Sequence, residues 1–118
     1  MKGQVRIIDI FAGPGGLGEG FSSFQTESGT RPFHLEVSAE KEASAHSTLT
    51  LRAFYRLLSK KEGRLPKGYL EYLRTIAPGT KKSPEQVFGK GATAPLWKQA
   101  KHEALQLTLG DEAHNRIL

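Results

Sequence analysis

The chain has 118 residues, of which 37% are hydrophobic and 25% charged, with a net charge of +5. That length and balance suit one globular domain around one core. The absence of cysteine excludes disulfides, thiolate metal sites and a cysteine nucleophile.

An isoelectric point near 9.6 suits a polyanionic partner such as DNA. The longest apolar stretch, Val5–Ala12, is interrupted by Arg6 and Asp9 and is far short of a membrane span. Met1–Gln4 leads directly into it without a signal-peptide core, so a cytoplasmic protein with no membrane partner is expected.

Val5–Phe11 is apolar and rich in β-branched residues, which predicts a buried first strand. It runs into Gly13, Gly15, Gly16, Gly18 and Gly20, with Gly13, Gly15 and Gly18 in the spacing of a dinucleotide-binding turn. A helix over about Leu17–Phe24 should follow, with Leu17, Phe21 and Phe24 inward and its free N–H groups turned toward a ligand. Gln25–Pro32 is turn chemistry. Phe33–Ala39 then alternates, with Phe33, Leu35 and Val37 on one face, and predicts a second strand one crossover from the first. Glu40 stands at the carboxyl end of that strand, where an acid in a nucleotide-binding βαβ unit accepts hydrogen bonds from ribose hydroxyls.

Lys41–Lys60 has helical periodicity, with Ala45, Leu49, Ala53 and Leu57 in one row beside Phe54 and Leu58. Arg52, Arg56 and Lys60 form a second row, which reads as a solvated face, with phosphate tracking as the alternative. Gly63 ends that helix, and Pro66–Ile76 predicts a shorter one stopped by Pro78-Gly79. Ser83-Pro84-Glu85-Gln86 has the form of a capping box, and Lys90–Ala94 reads as a connector. Pro95 begins a last helix expected to reach Gly110, with Leu96, Ala100, Ala104 and Leu107 as its stripe and Trp97 as anchor. Asp111–Leu118 continues in helical character. The histidines are scattered without metal-ligand spacing, so no metal site is expected.

Asp9-Ile10-Phe11-Ala12-Gly13-Pro14-Gly15-Gly16 followed by Gly20-Phe21 resembles the first motif of DNA (cytosine-5) methyltransferases. Val37–Ala43 through Thr48–Arg52 resembles the second motif region of the same family. The resemblance implies an α/β, Rossmann-like fold that begins βαβα and is then mainly helical. Residues 1–60 would form the cofactor-binding unit and 61–118 a helical insertion or connector of a partial catalytic domain. It implies S-adenosylmethionine as cofactor, with Phe11 against the adenosine, Ala12, Gly13, Pro14, Gly15, Gly16 and Leu17 around the methionine end, and Glu40 on the ribose. Lys41 takes the place beside the adenine, offering an aliphatic stem in place of a large apolar side chain. Asp9 would organise the loop through hydrogen bonds, and Asp111 is the candidate for the acid that contacts the adenine.

The family's Pro-Cys motif is absent, so the nucleophile that attacks a flipped cytosine is not in this chain. Two strands alone leave a sheet edge unpaired, so the resemblance implies completion by the remainder of the catalytic domain or a complementing chain, in an enzyme of restriction-modification type. Two other readings stay open: a fragment of a dinucleotide-dependent oxidoreductase, and a non-catalytic subunit or remnant that binds DNA or a partner.

Overall fold

The computed structural model describes residues 3–63, 67–74 and 83–117. The apolar run forms strand β1 (Val5–Ile10), and the alternating stretch forms β2 (Phe33–Glu40). Helix α1 (Gly16–Ser23) connects them, and the two strands pair in parallel, as a helical crossover requires. The register pairs Ile7 with Leu35 but Ile8 with Val37, so a bulge sits opposite Ile7/Ile8. Beyond it the faces exchange. Ser38, not Val37, shares the side of Asp9, and the expected Phe33–Leu35–Val37 face is broken after two residues.

Helix α2 (Ala43–Glu62) is capped by Glu42, whose carboxylate accepts from the backbone N–H of Ser44 and Ala45. It ends at Gly63, whose φ of 95° suits a residue without a Cβ. Helix α3 spans Lys67–Arg74; its expected start at Pro66 and stop at Pro78-Gly79 lie outside the described residues. Helix α4 (Pro84–Phe88) carries the anticipated capping box, with Ser83 and Gln86 bonding reciprocally. A 3₁₀ turn (Gly91–Thr93) leads into α5 (Ala94–Glu103).

The helix expected to run from Pro95 to Gly110 stops at Glu103. Ala104–Gln106 is instead a third strand, β3, paired in parallel with Ser38–Glu40. The region after residue 60 is therefore not purely helical; it closes the sheet on the outer side of β2. A short α6 (Glu112–Asn115) follows.

The sheet order is β1-β2-β3. Helices α1, α2 and α5 lie in one layer on one face. Arg56 of α2 bonds Glu19 of α1 at 2.8 Å and Glu103 of α5 at 2.7 Å, contacts that no sheet could separate. Between α2, α3, α4 and α5, Ala53, Phe54, Leu58, Tyr72, Phe88, Trp97 and Ala100 form the core, with the Phe54 ring 4.6 Å from Phe88 and 5.4 Å from Trp97. Trp97 donates its indole N–H to Glu85, which fixes α4 against α5. Among the described residues no helix is long and apolar enough to cross a membrane, and no group of three or more His, Asp or Glu is placed to hold a metal ion.

Candidate functional site

The carboxyl ends of the three parallel strands meet at one edge of the sheet, the position at which open α/β sheets hold their ligands. Leaving β1, Phe11 takes a φ of 58°, in the left-handed region. This turns the chain so that the Ala12 N–H donates to the Ala39 carbonyl (2.9 Å) and the Gly15 N–H to the Ala12 carbonyl (3.1 Å). Gly13 and Gly15 have φ of 57° and 99°, a conformation that costs a residue with a Cβ about 1 kcal/mol or more. Gly15 is also the N-cap of α1 and has no side chain to offer it, so the first N–H groups of the helix stay open to an outside acceptor.

The glycines divide into two kinds. A Cβ on Gly15 would lie 2.9 Å from Leu49 Cδ1, and one on Gly18 would lie 2.9 Å from Leu35 Cδ2 and 3.6 Å from Asp9 Oδ2. These two let the turn press on α2 and let α1 press on the sheet. At Gly13 and Gly16 a Cβ would meet nothing within 4 Å. Their open sides are the ones a ligand can approach.

Glu40, at the end of β2, is tied into this turn. Its Oε1 accepts from the Gly13 N–H at 3.0 Å and its Oε2 from the Glu42 N–H at 2.8 Å. The Glu42 bond and then the Gly13 bond hold its carboxyl below the ordinary glutamate value, so it stands ionised with lone pairs left for hydroxyl donors. Phe11, Glu40 and Lys41 line a cavity of about 640 Å³ together with Ala39, Glu42 and Leu107–Leu109. Lys41 is exposed, and its carbonyl is held by the Gln106 side chain. Phe11 is 75% exposed at the cavity and belongs to no buried core.

The other expected residues fall around this centre. Ala12, Gly13, Pro14, Gly15 and Gly16 form the turn and the start of α1. Leu17 does not face inward: it is exposed, as is Phe24, while Phe21 packs edge-on to Phe33 at 5.0 Å. Asp9 is buried, which raises its carboxyl above the ordinary value, and its Oδ2 has no hydrogen-bond partner among the described residues. It supports α1 by packing rather than by bonding the turn. Asp111 caps α6 by accepting from the His114 N–H, and the wall of the cavity is made by Leu107, Thr108 and Leu109 instead. Those three escaped sequence reasoning because β3, which delivers them, did. Arg56 is drawn into its double ion pair, leaving Arg52 and Lys60 as the exposed members of the basic row.

No protein-family model, no curated protein and no solved structure matches this chain.

Proposed function

We propose that this chain is the S-adenosylmethionine-binding part of a DNA cytosine-5 methyltransferase, of restriction-modification type. The observation that carries the reading is the junction of Phe11, the glycine turn and Glu40. An exposed aromatic residue, an open helix N-terminus and an ionised carboxylate stand at one carboxyl edge, in the order the motif resemblance requires. Phe11 stacks on the adenosine, Glu40 accepts from the ribose hydroxyls, and the free N–H groups at the start of α1 receive the carboxylate of the methionine end. Lys41 and Leu107–Leu109 flank the adenine. The cofactor, when bound, supplies a methyl group made electrophilic by its sulfonium centre.

The chain has no cysteine, so the attack on cytosine belongs to polypeptide that completes the sheet on the edge of β1 where, among the described residues, no strand pairs. DNA is the partner of that completed enzyme. The test is calorimetric titration with S-adenosylhomocysteine, with NAD⁺ as the competing class, on the wild-type chain, Gly16→Val and Glu40→Gln. Binding of the first ligand alone is expected. Glu40→Gln should weaken it about tenfold, and Gly16→Val should abolish it without altering the circular dichroism spectrum. Equal binding by Gly16→Val, or preference for NAD⁺, would overturn the reading.

A further inference from the structure

The sheet carries a second cavity at its opposite end. Strand β3 pairs only with Ser38–Glu40, so among the described residues the first half of β2 has β1 on one side and no strand on the other. Where β3 falls short, near the amino ends of β1 and β2, a pocket of about 470 Å³ opens, lined among others by Gln4, Arg31, Phe33, Leu57, Lys60 and Gln99. We infer that this pocket is a binding site for a small phosphate ester with a flat apolar body, separate from the site at the carboxyl edge.

Charge carries the first half of the inference. Among the described residues Arg31 is held by neutral groups only, the Gln25 side-chain oxygen accepting from its Nε and Nη2. It donates to the Ser22 carbonyl at 2.9 Å, and its own carbonyl accepts from the Gln4 amide at 3.0 Å. Its guanidinium is therefore oriented but not neutralised. Lys60, on the last turn of α2, forms no ion pair among the described residues. The acid that also borders the pocket, Glu103, is spent on Arg56 at 2.7 Å, so it does not oppose an incoming anion. Two cations with no carboxylate of their own make a site for phosphate oxygens.

Shape carries the second half. Phe33 and Leu57 give the pocket apolar wall, and Gln4 and Gln99 supply amides that donate to or accept from polar ring substituents. A bare phosphate would use the cations and waste that wall; an ester with a planar group uses both.

Phenyl phosphate tests this without the adenosine that the other site would take. Titrated against isotope-labelled chain, it should move the amide resonances of Phe33, Leu35, Leu57 and Gln99 saturably and leave Gly13–Gly16 unmoved. Arg31→Gln and Lys60→Gln should each weaken it about tenfold, with Arg31→Lys in between, while S-adenosylhomocysteine binding stays unchanged. Inorganic phosphate should bind more weakly at the same resonances. Shifts that do not saturate, affinity indifferent to both glutamine substitutions, or inorganic phosphate as tight as the ester would each overturn the inference. None of these outcomes depends on what the carboxyl-edge site binds.

Discussion

Phe11 combines two properties that folding alone would not select: a left-handed backbone and 75% exposure of a large apolar residue. Strain of this kind persists where the surroundings impose it, and it clusters at ligand sites. Here the Ala12–Ala39 hydrogen bond and the glycine turn impose it. Phe11→Gly should therefore raise unfolding stability by about 1 kcal/mol or leave it unchanged, since glycine takes that φ freely. The same substitution should weaken S-adenosylhomocysteine roughly three- to tenfold through the lost stacking surface. Urea unfolding and calorimetry on one preparation separate the two effects. A variant that loses stability and keeps its affinity would show that the ring serves the fold. The glycine turn after β1 and the place of Glu40 at the end of β2 were legible in the sequence, because local residue types mark both; the left-handed backbone of Phe11 was not. The union of Gly13 with Glu40 was not, because a carboxylate bonding a backbone N–H 27 residues away depends on strand register.

Among the elements, legibility followed local signals. Gly63 and the Ser83–Gln86 box marked the end of α2 and the start of α4 because capping is written within a few residues. Strand β3 left no such mark. Ala104, Leu105 and Gln106 are good helix formers, no glycine or proline separates them from α5, and only the edge of β2 makes them extended. Arg56 was misread for a similar reason: spacing placed it on the basic row, while tertiary packing gave it Glu19 and Glu103. With its side chain only 17% exposed, this double ion pair ties α1, α2 and α5 together. Arg56→Ala leaves Glu103 part-buried and uncompensated, and should cost about 2–4 kcal/mol in urea unfolding. Adding Glu103→Ala should return part of that loss, because the orphaned charge goes with it. A single substitution within about 0.5 kcal/mol of wild type would mean that the three helices are held by their apolar contacts alone.

At the scale of the molecule, the sheet is finished on one side only. Both crossovers step in the same direction across β1-β2-β3, so α1, α2 and α5 share one face. Parallel sheets are normally covered on both faces, since their strands are apolar throughout. Strand β1 follows that rule in part: Ile7 and Asp9 turn toward the helices, while on the other side Ile8 and Ile10 are 61% and 48% exposed beside Arg6, which pairs with Glu36. Among the described residues the outer edge of β1 also has no strand beside it. A doubly wound sheet reverses direction at such a strand, placing further strands beyond it and helices over the second face. Under the proposed function, the two exposed isoleucines would lie beneath such helices. On its own, the chain should use that face to associate, so sedimentation at tens of micromolar should give a mass well above the 13.0 kDa of one copy. Ile8→Lys with Ile10→Lys should restore the single-copy mass at a cost of no more than about 1 kcal/mol, the span of strand propensities, because neither side chain supports the helical layer. The substitution leaves Phe11, Glu40 and the glycine turn in place, so cofactor binding by the monomer should survive. A wild-type chain that sediments as one copy, or a double variant that unfolds, would show that the second face is sufficient without a covering layer and would remove the case for a missing half.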